Sequence, residues 1–235
     1  MLHHDTVRNR LLQRLQHADF RLLKPHLQLI PTGLRQTLIA PHEQVAQLFF
    51  PEVGYASVTA DAKGKRIEVG LIGREGLVGA SPVLLADNFT VYREFVLCPG
   101  EMLAIDVNRF RSAIDNSPTL RTLMLRYLQT RLVQAQQFAC ANAAYTTPVR
   151  LARWMLMCHD RSDGDEIPIT HEALSFMLGV RRAGVTQAVH VLEGRHLIKA
   201  HRGRITVQDR EGLIDLAGGS YGLPEAEYAR LIDGV

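Results

Sequence analysis

Residues 170–208 constrain the fold more than any other part of the chain. Thr170 can cap a helix by accepting a hydrogen bond from a backbone N–H, and Gly179 suits the left-handed residue that ends one. Between them the apolar residues fall on one helical face, namely Ala173, Leu174, Met177 and Leu178. A second apolar stripe follows at once over 182–194, at Val185, Ala188, Val189 and Leu192. The spacing predicts two short helices joined by a tight turn.

Two short helices joined by a glycine-containing turn form the helix-turn-helix motif, whose second helix enters the major groove of DNA. The opposite face of this second helix carries Arg182, Ala183, Thr186, Gln187 and His190. Residues 198–201 and 204–208 then alternate as strands around Arg202-Gly203. This alternation predicts a hairpin that follows the motif like a wing.

Charge is concentrated in the same segment. The 235-residue chain has 27 Lys and Arg against 24 Asp and Glu, and its net charge of +3 says little about a partner. Residues 181–204 alone carry six basic residues against Glu193, a net charge of +5. The flanking segments 146–180 and 205–235 carry −2 and −4. A local basic surface of this kind displaces counterions from DNA, so we expect salt-dependent DNA binding.

The residues before the long helix fall into two regions with different hydrophobic patterns. Leucine spacing predicts two short helices over 6–28, interrupted by Pro25. From 30 to 106 the chain consists of short strand-like runs, predicted at 45–50, 54–59, 66–72, 92–97 and 101–105. A hairpin turn is predicted at 61–64. Many strands without a long intervening helix favour an antiparallel barrel or sandwich.

A long helix is predicted from Ser117-Pro118 to about residue 143, because no Gly or Pro interrupts it. One set of its apolar residues repeats at alternating intervals of three and four, the spacing of a coiled-coil seam: Leu125, Leu128, Leu132, Ala135 and Ala139. We expect this seam to pair two copies of the chain. Thr147-Pro148 repeats the start signal, which places a domain boundary near 145.

Several classes of protein do not fit the sequence. No apolar run approaches the roughly 20 residues of a membrane span, the N-terminus lacks the pattern of a signal peptide, and three scattered cysteines cannot form a disulfide framework. We therefore expect a cytoplasmic protein without a membrane partner. A metal-dependent oxygenase on a β-barrel needs several histidines, whereas His42 is the single histidine between 30 and 106. We expect no enzyme, no metal site and no cofactor.

The chain resembles the Crp/Fnr family of bacterial transcription regulators over nearly its whole length. The specific match is THEALSFMLGVRRAGVTQAVHVLEGRHLIKAHRGRITV, supported by the glycines of the β-rich region and by the long helix. The resemblance implies an α+β fold: an antiparallel β jelly roll of the cyclic-nucleotide-binding type (1–116), a dimerisation helix (117–145) and a C-terminal winged helix-turn-helix (146–235).

The family's mode of action implies a homodimer on a palindromic site in double-stranded DNA, with RNA polymerase as a further partner. The expected DNA contacts are Thr170, His171, Arg181, Arg182, Thr186, Gln187, His190, Lys199, His201, Arg202 and Arg204. The family's reading helix often carries an Arg-Glu pair and a second Arg. Here Ala183 and Gln187 stand at the second and third of these positions, so we expect a different target sequence.

The effector region departs further from the family. Cyclic-nucleotide binders of this family use a Gly-Glu pair for the ribose and an Arg-Ser/Thr-Ala run for the phosphate. The corresponding positions here are Gly79-Ala80-Ser81 and, later, Arg93-Glu94. Ala80 cannot hydrogen-bond a ribose hydroxyl, so we expect no control by cAMP and leave the effector unidentified. The alternative is a small-ligand-binding module, cyclic nucleotides included, that acts on a protein partner without DNA.

Overall fold

Two short helices open the chain, as the leucine spacing predicts. The computed structural model describes residues 2–62 and 65–234, and its first α-helices are α1 (Arg10–Gln13) and α2 (His17–Leu23). The Asn9 side chain caps α1 by accepting from the Leu12 N–H at 3.2 Å. Their apolar residues are buried, and a 3-10 turn that contains Pro25 follows α2.

The β-rich region forms a single sheet. Its strands are β1 (Gln28–Thr32), β2 (Thr37–Ile39), β3 (Gln47–Ala62), β4 (Lys65–Ile72) and β5 (Arg93–Asp106). The order is β1-β5-β3-β4, and both β1 and β2 pair with β5 in antiparallel fashion. A short helix, α3 (Ala80–Leu85), precedes β5. The predicted turn at 61–64 falls partly on residues 63 and 64, which lie outside the described residues.

Four of the predicted strands are in fact two long ones. The predictions at 45–50 and 54–59 both fall on or beside β3, and those at 92–97 and 101–105 both fall on β5. Gly54 takes φ 78°, and a Cβ on Gly100 would stand 2.2 Å from the Val53 carbonyl oxygen. These glycines let the two strands approach closely, so each strand continues through the gap between two predicted strands.

Helices follow the sheet. They are α4 (Val107–Asn116), α5 (Pro118–Ala144) and α6 (Thr147–His159), so the long central helix is confirmed. Ser117 caps α5 as predicted, because its Oγ accepts from the Leu120 N–H at 3.1 Å. At α6 the cap residue is Thr146 rather than Thr147, and its side chain makes no capping bond.

The C-terminal elements match the predicted helix-turn-helix and wing. They are β6 (Glu166–Ile167), α7 (His171–Leu178), α8 (Arg182–Gly194), β7 (Ile198–His201) and β8 (Arg204–Val207), with the sheet order β6-β8-β7. Two further helices, α9 (Arg210–Ala217) and α10 (Leu223–Tyr228), and a π-helical turn (Ala229–Asp233) complete the chain. Among the described residues no helix is long and apolar enough to cross a membrane.

The chain divides into two compact units. Unit 1 consists of Met1–Val58, Ile72–Leu132 and Ala226–Val235, and unit 2 consists of Thr59–Leu71 and Val133–Glu225. The core of unit 1 includes the Phe50 and Phe110 rings, whose centres are 6.3 Å apart, and the buried Tyr55 and Tyr127. The core of unit 2 surrounds Trp154. The proposed DNA-reading residues all belong to unit 2.

Candidate nucleic-acid interface

The turn between α7 and α8 is built from backbone hydrogen bonds. Thr170 caps α7 as predicted, with its Oγ1 accepting from the Ala173 N–H at 3.1 Å. Gly179 takes the left-handed conformation at φ 63°, and the Val180 N–H donates to the Ser175 carbonyl at 3.1 Å. This closes α7 and allows α8 to begin only three residues later, at Arg182.

The two faces of α8 separate as predicted. Val185, Ala188, Val189 and Leu192 are buried, whereas Arg182, Gln187 and His190 are exposed. Thr186 is half-buried: its Oγ1 donates to the Arg182 carbonyl at 3.2 Å and lies 3.5 Å from His171 Nδ1. Thr186 and His171 therefore contact each other, and the exposed face of α8 is formed by Arg182, Ala183, Gln187 and His190.

The wing carries the remaining basic side chains. Strands β7 and β8 pair in antiparallel fashion with His201 opposite Arg204. Lys199, His201 and Arg202 are exposed. Arg204 is also exposed, but its Nε lies 3.3 Å from Glu166 Oε1 on β6. Its charge is therefore partly compensated before any DNA arrives.

Arg150 is a supporting residue that the sequence reading missed. Its guanidinium donates a hydrogen bond to the carbonyl oxygen of Leu178, the last residue of α7. Burial lowers the pKa of Arg150. This bond reaches from α6 to the turn of the motif and satisfies a carbonyl that the helix itself leaves unpaired. No sequence pattern separates Arg150 from the solvated arginines of the chain.

A buried polar pair supports α6. The Trp154 indole N–H donates to Glu68 Oε1 at 2.7 Å, and both residues are almost fully buried. Next to it the Arg153 guanidinium lies 4.2 Å from the centre of the Phe138 ring, a cation–π distance. Burial lowers the pKa of Arg153 to about 10. The helix that precedes the DNA-reading motif thus rests on hydrogen bonds as well as on apolar packing.

The predicted seam on α5 is largely exposed in a single chain. Leu125 is 47% and Leu132 is 53% exposed, and Ala135 and Ala139 are exposed too. The expectation that Leu128 lies on the exposed seam is wrong, because its side chain is only 7% exposed and belongs to the core of unit 1. The exposed stripe that keeps a period of 3.5 consists of Leu125, Gln129, Leu132, Gln136, Ala139 and Ala143. We call this set the α5 stripe.

Gly79 of the expected effector site lies next to Glu94, the residue that follows Arg93. Gly79 takes φ 80°, and a Cβ there would stand 2.9 Å from the Leu48 side chain. The Gly79 N–H donates to Glu94 Oε2 at 2.8 Å. Ala80 is buried and Ser81 is exposed. The Gly79 N–H is therefore already hydrogen-bonded to a carboxylate of the chain itself.

Arg93 directly precedes Glu94 in β5. It lines a cavity of about 520 Å³ between β2 and the segment leading into β3, where its Nη1 donates to Thr37 Oγ1 at 3.0 Å. Gly79, Ala80 and Ser81 do not line this cavity. Within the described part of the chain, no three His, Cys, Asp or Glu side chains form a group that could hold a metal ion.

Comparisons with known proteins agree with this geometry. Residues 149–216 match the Crp-like helix-turn-helix domain. The global nitrogen regulator of Nostoc sp. is 25% identical over 183 residues, which cover 73% of this chain and 81% of that protein. The cAMP-activated global transcriptional regulator CRP of Pasteurella multocida is 25% identical over 182 residues, which cover 74% of this chain and 86% of that protein.

Solved structures show the same fold. FixK2 from Bradyrhizobium japonicum superposes with a TM-score of 0.69 at 12% identity, covering 82% of this chain and 98% of the other. A CRP-family transcriptional regulator from Thermus thermophilus gives a TM-score of 0.67 at 16% identity, covering 81% and 97%. The fold, the exposed reading helix and the basic wing define a transcription regulator of the helix-turn-helix class. Within that class, residues 149–216 match the Crp-like helix-turn-helix domain, and the chain is similar to Crp-type regulators over about three quarters of its length.

Proposed function

We propose that the protein is a homodimer that binds a palindromic DNA site and reads it chiefly with Arg182. The observation that carries this proposal is the exposed face of α8, where Arg182, Gln187 and His190 lie beside the basic wing. A guanidinium can bind guanine O6 and N7 together, and a glutamine amide can pair with adenine. Ala183 cannot accept from cytosine, so the site differs from one read by an Arg-Glu pair.

The phosphate contacts come from the edges of this surface. Lys199 and Arg202 on the wing, together with Arg181 and Arg204, supply positive charge that sets the register of the protein on DNA, and His201 adds a ring N–H donor. Thr170 and His171 add contacts at the start of α7. The role is regulation of transcription rather than catalysis, with RNA polymerase as the partner where a bound site adjoins a promoter.

Dimerisation follows from the α5 stripe. Two leucines about half exposed on a 27-residue helix present apolar surface that a second copy covers best. A dimer with two-fold symmetry places its two α8 helices about one DNA turn apart, roughly 34 Å, and so accounts for a palindromic target.

We also propose that cAMP is not the effector. Ala80 offers no ribose contact, and Glu94 already accepts from the Gly79 N–H, so this backbone donor is paired before a phosphate could reach it. Isothermal titration with cAMP is expected to show no heat of binding at micromolar concentrations. Micromolar affinity would overturn this part of the proposal.

Selection from a random pool of 30-base-pair duplexes tests the DNA-binding proposal. We expect a palindromic sequence to be enriched, with an affinity that falls by about 10³ or more between roughly 50 and 200 mM salt. Arg182→Ala is expected to cost about 1–3 kcal/mol per half-site and to leave binding to scrambled duplex nearly unchanged. Gln208→Ala, an exposed substitution beyond the wing strands, serves as the control. Failure of any sequence to be enriched would contradict the proposal.

A further inference from the structure

Glu193 is the single acidic residue between Arg181 and Arg204, in a segment with six basic residues. A carboxylate in a DNA-binding surface repels phosphates and so lowers affinity. Its side chain is one-third exposed at the last turn of α8. Each of its two carboxylate oxygens has a defined neighbour in this surface.

One carboxylate oxygen of Glu193 is bound to the wing. Oε1 accepts from the Ala200 N–H at 2.8 Å. Ala200 lies in β7, which is an edge strand because the sheet order is β6-β8-β7. The N–H groups on the outer edge of such a strand have no partner strand, so a side chain must satisfy them or water must.

This bond reaches beyond the turn that joins α8 to the wing. The backbone of the turn is tied at its end, where the Leu197 N–H donates to the Leu192 carbonyl at 3.1 Å. The turn itself contains Arg195 and His196, and His196 takes a positive φ of 58°. Glu193 instead binds Ala200, three residues further toward the tip of the wing, so it restrains the angle between α8 and the wing.

The other oxygen faces the reading surface. Glu193 Oε2 lies 3.7 Å from Nδ1 of His190, whose side chain is 73% exposed on the reading face of α8. The carboxylate thus connects a residue of the reading face to a backbone donor of the wing.

We infer that Glu193 is a positioning residue that fixes the wing relative to α8 and thereby contributes to discrimination between DNA sequences. The inference rests on the proposed function, since it assigns a role within the same DNA-binding surface. Loss of the hydrogen bond between Glu193 and Ala200 loosens the alignment of the phosphate contacts with the base contacts. Loss of the charge alone reduces the repulsion between Glu193 and the DNA phosphates.

Two substitutions separate these effects. Glu193→Gln keeps an oxygen that can accept from the Ala200 N–H and removes the charge. It is expected to raise affinity for the selected duplex and for a scrambled 30-base-pair duplex alike, by about two- to fivefold. Glu193→Ala removes both the charge and the hydrogen bond to Ala200. It is expected to lower the ratio of the affinity for the selected duplex to that for the scrambled duplex by about tenfold. Glu211→Gln removes one exposed charge outside the segment and is the control.

Fluorescence anisotropy with both duplexes measures the affinity ratio, and hydrogen exchange reports on the Ala200 amide. We expect faster exchange of that amide in Glu193→Ala and near-normal exchange in Glu193→Gln, with thermal midpoints similar to that of the parent protein. An equal affinity ratio in both variants would overturn the inference. Failure of the parent protein to prefer any duplex would instead overturn the proposed function.

Discussion

At the scale of single residues, buried carboxylates make specific hydrogen bonds within the fold. Glu94 is 6% exposed and accepts from the Gly79 N–H. Burial raises its pKa, while the Gly79 N–H and the nearby Arg131 act in the opposite direction. The net shift is upward, so the cost of burying the charge exceeds what its two partners return.

This balance predicts the pH dependence of stability. Because the folded pKa of Glu94 is raised, the folded protein binds a proton more tightly than the unfolded chain, and its stability falls as pH rises through the window above 4.5. Glu94→Gln removes this term and can still accept from Gly79. It is expected to raise Tm at pH 7.5 by about 2 °C or more, with a smaller difference at pH 5. A lower Tm at pH 7.5 would show that Arg131 dominates instead.

Trp154 and Glu68 give a second residue-scale prediction. Trp154→Phe keeps the ring in the core of unit 2 but removes the donor to Glu68, which is buried. We expect a loss of about 1–3 kcal/mol in the free energy of unfolding by urea. Combining it with Glu68→Ala, which removes the acceptor, completes a double-mutant cycle, and a coupling energy near zero would contradict the importance of this bond.

At the scale of elements, the sequence predicted what local chemistry determines. The cap at Thr170, the left-handed Gly179 and the apolar stripe of α8 are local signals, and all are confirmed. The joining of strand predictions into β3 and β5 was not predictable, because Gly54 and Gly100 act through each other across the sheet. The bonds of Arg150, Glu68 and Glu193 also depend on tertiary neighbours that no sequence period reveals.

The seam of α5 shows the same limit. Spacing placed Leu128 with Leu125 and Leu132, since intervals of three and four both fit a helical stripe. The structure buries Leu128 against unit 1 and leaves Gln129 on the exposed side. A period of 3.5 residues can therefore be recognised from sequence, whereas the face that the chain's own core covers cannot.

The α5 stripe predicts how the dimer can be broken. Leu132→Glu places a charge at the centre of the stripe, where it is solvated in a single chain but buried between two. We expect light scattering to change from twice the chain mass of 26.3 kDa to the chain mass itself, with circular dichroism unchanged. Arg126→Glu introduces the same residue on another exposed face of α5 and is expected to leave the dimer intact. A parent protein that is already monomeric at micromolar concentration would contradict the stripe as an interface.

At the scale of the whole molecule, the positions of the charged residues indicate the DNA-binding surface, whereas the net charge does not. The net charge of +3 hides a segment of +5 between Arg181 and Arg204, and the structure places most of those side chains on the exposed face of α8 and on the wing. The acidic C-terminal residues have a separate role. Glu227 and Asp233 belong to unit 1, where Asp233 pairs with Arg10 and Arg14.

The C-terminal segment is held more by burial than by these ion pairs. Ile232 is 7% exposed, whereas the side chains of Arg10 and Arg14 are about half exposed, so solvent screens their attraction to Asp233. We therefore expect Ile232→Ala to cost about 2–5 kcal/mol and Asp233→Asn less than about 1 kcal/mol in urea unfolding. The cost of Asp233→Asn should fall further in 0.5 M salt, and that of Ile232→Ala should not. The reverse order of costs would mean that charge rather than apolar packing closes the last residues onto unit 1.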